Sequence, residues 1–243
     1  MLRLIKLHIQ MKKRYVHSVF ASLFFIFIIG EIGCKRNEVE PTVSDFGYDY
    51  YPIDLGTTWE YQVDSIQFKP FDSRIDTFQF MVKHIVVDTF IDATGVKSSI
   101  INVYHSDSIG GSYKLNRSVT KRVFDYRAEV TDTNFKVISL VFPPNKLKYW
   151  DANAFNTNPT LEYEIIDNLE TETIGSNEYN DVVHVVQQDE DFRTIKNYGI
   201  EKYSKHFGMI YARQISWTKE RLNDTAEIPD GYDYTYTLKS FKR

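Results

Sequence analysis

One cysteine stands among 243 residues, so no internal disulfide can form and packing alone must hold the fold. Apolar runs are scarce as well. The one sustained run, Ser18 to Gly30 (SVFASLFFIFIIG), has 13 residues, whereas a bilayer-spanning helix needs about 20. The chain contains no Gly-x-Ser-x-Gly elbow, phosphate loop or dinucleotide fingerprint. Its six histidines never fall at His-x-x-x-His or His-Glu-x-x-His spacing, which excludes the common zinc-hydrolase helix. His8 and His17 fall in the leader before the apolar run, and His84 and His184 fall inside strand-like segments, where a hydrogen-bonded histidine is the simplest reading. Positive charge is not in surplus either: 29 Lys and Arg face 33 Asp and Glu.

What is present at the start is an address. Arg3, Lys6, Lys12, Lys13 and Arg14 precede the 13-residue run, a basic region followed by an apolar region of secretory length. Met11-Lys12-Lys13-Arg14 would itself make a conventional start, so Met1 and Met11 both stand as initiation sites. Cys34 follows the run by four residues, behind Glu31-Ile32-Gly33. This arrangement resembles the lipobox of bacterial lipoproteins, in which a small residue precedes a cysteine that is diacylated on sulfur, as by palmitate, and becomes the mature N-terminus. Gly33 and Ile32 fit that pattern, and Glu31 stands where it usually has an apolar residue. The resemblance implies an exported protein held by lipid at the bacterial outer membrane, on its periplasmic face or at the cell surface. An uncleaved signal anchor with an incidental thiol is the alternative.

Removal of residues 1–33 leaves 24 Lys and Arg against 32 Asp and Glu, a formal charge of −8. An acidic domain argues against nucleic acid as a partner, since phosphate backbones call for clustered Lys and Arg. Residues 34–49 begin with the cysteine and continue polar and aperiodic, as a flexible tether. From residue 50 onward alternation with period two takes over. Trp59, Tyr61 and Val63 share one face while Glu60, Gln62 and Asp64 share the other, and Tyr232, Tyr234, Tyr236 and Leu238 repeat the pattern near the end. Asp92-Ala93-Thr94-Gly95, Gly110-Gly111, Gly175-Ser176-Asn177 and Pro229-Asp230-Gly231 read as hairpin loops. No long amphipathic helix intervenes. Residues 50–243 are therefore expected to form a single all-β domain, an antiparallel curved sheet or open barrel of about ten strands. Candidate strands include one continuous run from Ser118 to Val130.

An aromatic-Pro pair sits seven residues before a tryptophan twice, in a chain with three tryptophans: Tyr51-Pro52 before Trp59, and Phe142-Pro143 before Trp150. Proline fixes φ and donates no hydrogen bond, which suits the approach to a strand. Gly56 then allows a tight turn, and each indole can close one end of a core while donating N–H to a carbonyl. In the second copy Leu147 replaces the glycine. Three matched positions over nine residues suggest an internal duplication only thinly. YYPIDLGTTWEYQVDSI, VFPPNKLKYWDANAFN and GIEKYSKHFGMIYARQ together resemble a group of uncharacterised Bacteroidota lipoproteins. In that group a Tyr/Phe-Pro-x-x-x-Gly-x-x-Trp lead-in, a central Trp-x-x-Asn-x-Phe segment and a late Gly-Leu-Ile-Tyr-like strand recur in this order. Leu147 and Met209 depart from the usual Gly and Leu. The resemblance spans most of the mature chain, and the group carries no assigned activity.

No catalytic residue, metal ligand set or cofactor is expected. Asp189-Glu190-Asp191 lacks the remaining ligands of a calcium loop and reads as a solvated hairpin tip. Glu162 and Glu164 flank Tyr163 and would share one strand face, as a glycosidase pair can, but alternation produces the same pattern on any solvent face. Three functions stay open. In the first, a non-enzymatic envelope lipoprotein holds an apolar ligand or docks a partner chain on its aromatic-rich sheet. In the second, an envelope-polymer hydrolase works through Glu162 and Glu164. In the third, the domain is a spacer or accessory subunit of an envelope complex.

Overall fold

The structure is a computed structural model that describes residues 46–220 and 227–243; the leader, Cys34 and most of the tether lie outside the described residues. Twelve strands follow one another: β1 (Thr58–Lys69), β2 (Arg74–Ile91), β3 (Lys97–Ser106), β4 (Lys114–Phe124), β5 (Arg127–Asp132), β6 (Phe135–Val141), β7 (Tyr149–Asp151), β8 (Glu162–Ile174), β9 (Asn177–Asp191), β10 (Ile195–Ser204), β11 (Gly208–Thr218) and β12 (Asp230–Lys242). Their order in the single sheet is β6-β5-β4-β3-β2-β1-β12-β11-β10-β9-β8-β7. The topology is thus two six-stranded meanders joined where β1 pairs antiparallel with β12. All pairings are antiparallel, as short hairpin loops require.

This is the expected all-β antiparallel architecture, a nearly closed barrel with two more strands than the alternation suggested. The run from Ser118 to Val130 is not continuous: β4 ends at Phe124, which pairs with Arg127 across the two-residue turn Asp125-Tyr126. Asp125 has φ 51°, a left-handed conformation that Asp tolerates without the Gly or Asn that usually marks such turns. The second addition, β7, is too short to show a period. Of the expected loops, Asp92 to Gly95, Gly110-Gly111 and Gly175-Ser176 turn between strands, whereas Asp230 and Gly231 are the first residues of β12, paired with Thr218 and Trp217. The tether also ends earlier than expected. Tyr48 packs its ring edge-on against Phe142 at 5.0 Å and donates its hydroxyl to the Asp125 carbonyl, so the folded unit includes residues 46–49.

The edges of the sheet, β6 and β7, meet instead of facing solvent as open ladders, which limits edge-to-edge association. The Ile138 N–H donates to the Ala152 carbonyl at 3.0 Å, and the Trp150 indole N–H donates to the Ile138 carbonyl at 2.9 Å. The Asn156 side-chain amide adds a bond of 2.8 Å to the Lys136 carbonyl. A side chain of the paired motif therefore closes the seam of the barrel.

The two copies of that motif share a hydrogen-bonded frame. The Gly56 N–H donates to the Val86 carbonyl and the Val86 N–H returns to Thr57, both at 2.9 Å. In the second copy the Leu147 N–H donates to the Ile165 carbonyl at 2.7 Å, and the Ile165 N–H returns to Lys148 at 2.8 Å. Trp59 and Trp150 then face His84 and Tyr163, each two residues before the strand residue so gripped. Gly56 has φ 86° and Leu147 has φ 67°, so both occupy the left-handed region three residues before the tryptophan. For leucine that conformation costs about 1–2 kcal/mol. Leu147→Gly relieves it at an unfolded-state cost of about 0.5–1 kcal/mol, so we expect the variant to be unchanged or up to about 1.5 kcal/mol more stable in urea. Gly56→Leu should be unchanged or lose up to about 1.5 kcal/mol, the strain of about 1–2 kcal/mol less the same unfolded-state term, because a Cβ there meets no atom within 4 Å. The reverse order of stabilities would show that the two turns are not equivalent.

Alternation turns Trp59, Tyr61 and Val63 of β1 inward, and all three are buried. The interior is not filled continuously. One buried cluster gathers Tyr51, Leu140, Phe142, Trp150, Ile165 and Tyr203; the other gathers Trp59, Tyr61, Val82, Val119, Ile210 and Leu238. Met209 packs against both.

Candidate functional site

Between the two clusters lies a lumen of about 320 Å³, lined by every strand except β7 and β8. A second space of about 170 Å³ adjoins it and shares His84, Val103, Arg117 and Tyr236 with it. These volumes suit a small molecule, for which pockets usually span about 300–1,000 Å³. The walls are largely aromatic, with Tyr51, Trp59, Tyr61, Tyr203 and Tyr236 presenting ring surface. Arg117 and Asp132 form an ion pair of 2.8 Å beside the lumen, and their side chains are 54% and 37% exposed, so this is the side on which the space meets solvent.

Two charged side chains project into this space from opposite halves of the barrel. Lys121 sits on β4 between Val119 and Val123, which share its inward face. Its ammonium has no hydrogen bond or ion pair among the described residues. The Lys121 nitrogen lies 5.1 Å from the ring centre of Tyr51 and 6.0 Å from that of Trp59, distances at which ring faces attract a cation. Burial pulls the Lys121 ammonium below its ordinary value, and the charge of Glu201 works against that pull.

Glu201 projects from β10 on the face of Gly199 and Tyr203. Burial pushes its carboxyl above the usual range; the Tyr203 hydroxyl, the Lys121 charge and the Gln187 amide oppose the shift. The Tyr203 hydroxyl donates to Glu201 Oε2 in a short hydrogen bond. Gln187, 7% exposed on the neighbouring strand β9, is given room by Gly199: a Cβ at that position would sit 3.1 Å from Gln187 Cβ and 3.3 Å from its Oε1. A glycine inside a strand here marks a close approach that positions Gln187 beside the carboxylate. The amide oxygen of Gln187 is itself buried without a hydrogen-bond partner.

Apart from the Arg117–Asp132 ion pair, the remaining lumen groups are neutral. His84 is held at about 3 by burial first and then by the Lys121 and Arg117 charges, so it is an uncharged imidazole at neutral pH. Burial likewise raises the hydroxyls of Tyr51, Tyr61 and Tyr203, keeping them as un-ionised donors. Among the described residues no three His, Cys, Asp or Glu side chains converge to hold a metal ion.

The residues singled out by sequence fall around this space in different ways. Trp59 lines it, is 5% exposed and donates its indole N–H to the Phe207 carbonyl at 2.6 Å, pinning the β10–β11 turn over one end of the barrel. Tyr51 and Pro52 line it too, and the Tyr51 hydroxyl points to Ser139 at 3.4 Å. Gly56 lies in the turn before β1. Phe142, Pro143 and Trp150 belong to the closed seam, where Phe142 and Trp150 are buried. Cys34 lies outside the described residues. Glu162 and Glu164 do not line the lumen: alternation sends Tyr163 inward and leaves Glu162 exposed and Glu164 half-buried on the other face of β8. Lys121 and Glu201 went unremarked in the sequence, although each is a charge on an otherwise apolar or aromatic strand face.

No protein-family model and no curated protein sequence matches the chain. Among solved structures, a chain from Parabacteroides distasonis, named provisionally as a lipoprotein, is similar over 79% of this chain and 98% of its own. Its sequence identity is 11% and its TM-score 0.41.

Proposed function

We propose that this chain is a lipid-anchored protein of the bacterial outer membrane whose barrel is a binding module that holds a small molecule in its lumen. The anchor rests on the basic stretch, the 13-residue apolar run and Cys34, whose order resembles a lipoprotein leader. One observation carries the binding role: the barrel packs two separate clusters and leaves between them an aromatic-walled space of about 320 Å³ with polar groups converging on it. A protein selected only for stability would fill that space, since each missing contact forfeits dispersion energy. The aromatic walls suit an apolar body.

Native mass spectrometry of the full chain, purified gently from its own envelope, tests this reading. The expected result is a population carrying a small-molecule adduct, and its loss in Ala212→Phe, where the new ring occupies the lumen from β11. An apo spectrum for the wild type, or an adduct that survives Ala212→Phe, would contradict it.

A further inference from the structure

We infer that the lumen ligand is a monoanion, with a carboxylate or similar headgroup on the Lys121 ammonium and an apolar body against Trp59, Tyr51 and Tyr61. The inference rests on the lumen-binding reading above and adds the charge and orientation of the ligand.

Arg117 and Asp132 neutralise each other at the solvent side, and the other two lumen charges are not equivalent. Glu201 already accepts from the Tyr203 hydroxyl, and Gln187, for which Gly199 clears space, further favours its ionised form. Lys121 is not: it has no acceptor within hydrogen-bonding distance and no ion pair among the described residues, and Glu201 acts on it only through its charge. Its neighbours are ring faces at 5.1 and 6.0 Å, which attract a cation but accept none of its three N–H groups. The half-buried Lys121 side chain therefore presents its three N–H groups to the lumen with no protein acceptor for them among the described residues. The lumen beside it is large enough for the missing partner and for the body that carries it.

The geometry also orients that body. Tyr51 and Trp59 flank the ammonium, and Trp59 and Tyr61 are neighbours on the inward face of β1. A headgroup on Lys121 therefore directs its attached apolar part along these rings. The Glu201 carboxylate on the same lumen, hydrogen-bonded to the Tyr203 hydroxyl, disfavours a second negative charge, which limits the ligand to one.

Isothermal titration of the full chain in detergent, with protein-free micelles as the blank, tests the inference through two matched pairs: 2-naphthoate against 2-naphthamide, and octanoate against octanamide. The wild type should bind at least one carboxylate on the order of 10- to 100-fold tighter than its own amide, the range that a charge-assisted hydrogen bond supplies. The naphthyl and octyl arms distinguish a planar body from a flexible one. In Lys121→Met, which keeps the volume of the stem, that preference should vanish while amide binding persists. Lys121→Arg, which keeps the cation, should retain the preference and shows that any loss in the Met variant is not misfolding. Equal affinity for acid and amide in the wild type would overturn the anion assignment while leaving a lumen ligand standing. A preference that survives in Lys121→Met would overturn it as well. Failure of all four probes, together with an apo native mass spectrum, would overturn the lumen-binding reading itself.

Discussion

Trp150→Ala should lower the unfolding free energy by about 3–5 kcal/mol, the usual cost of truncating a buried large aromatic side chain, and the melting temperature by roughly 6–20 °C. Two losses add. The ring is packed in a cluster with Tyr163 at 5.8 Å, and its indole N–H is one of three hydrogen bonds that hold the β6 edge against β7 and the segment following it. Removing it leaves the Ile138 carbonyl unsatisfied at the seam, so amide exchange in β6 should accelerate more than in β1 or β12. Trp150→Phe, which keeps much of the volume but not the donor, isolates the hydrogen bond at about 1–3 kcal/mol. Trp59→Ala should fall at or below the lower limit of that range, because one side of Trp59 borders the lumen and forfeits fewer contacts. Equal thermal stability of Trp150→Ala and wild type in calorimetry would refute the closed seam.

The second large effect concerns a charge on the outer face. Glu129 of β5 is 1% exposed, yet three cations surround it: Arg122 and Arg127 each donate to it at 2.6 Å, and Lys136 lies at 3.5 Å. Arg127 is itself held between the rings of Phe124 and Phe155, at 5.0 and 4.7 Å, which seals the group from water. Burial pushes the Glu129 carboxyl up, but the hydrogen bonds from Arg122 and Arg127 more than reverse this and hold it below its ordinary value. Glu129→Ala should cost about 3 kcal/mol, toward the lower limit for breaking a buried ion pair, because Arg127 and Lys136 still reach solvent and Arg122 keeps Asp92.

Glu129→Gln should cost less and give a signature in pH. The folded state depresses the carboxyl, so its stabilisation is fully present above the unfolded value near 4.5 and is lost as pH falls through the lower folded value. The stability gap between wild type and Glu129→Gln should therefore be constant around neutrality and close in acid. A gap that widens below pH 4.5 in denaturant titrations would show that the network does not favour the ionised carboxylate.

What the sequence made legible was the local part of this architecture. Alternation around Trp59 and around Tyr234 marks β1 and β12 because one face is apolar and the other polar, and the Gly-marked turns delimit most hairpins. The Asp125-Tyr126 turn was hidden because an aspartate, not a glycine, takes the positive φ, and the residues on both sides keep a strand-like pattern. Strand β7 was hidden because three residues cannot display a period. Closure of β6 against the segment after β7 is a tertiary event with no local signature, although Trp150 and Asn156 supply its side-chain bonds.

The lumen followed the same division. Trp59 and Tyr51 were visible as motif residues, but nothing in a strand pattern tells a filled interior from a hollow one. Lys121 and Glu201 were within reach: Val119-x-Lys121-x-Val123 and Gly199-x-Glu201-x-Tyr203 each place a charge on an inward-facing row. The carboxylates that drew attention instead, Glu162 and Glu164, lie on the opposite face of β8 from the interior. Reading charges against the face they share, and not against their sequence neighbours, separates the two cases.

The most direct measurement is a crystal structure of the full chain purified from its own envelope and never exposed to denaturant. The account predicts continuous density for a small molecule in the lumen, with one end within hydrogen-bonding distance of the Lys121 ammonium and its body against Trp59. A lumen holding only water, or closed by side chains of the two clusters moving together, would contradict it.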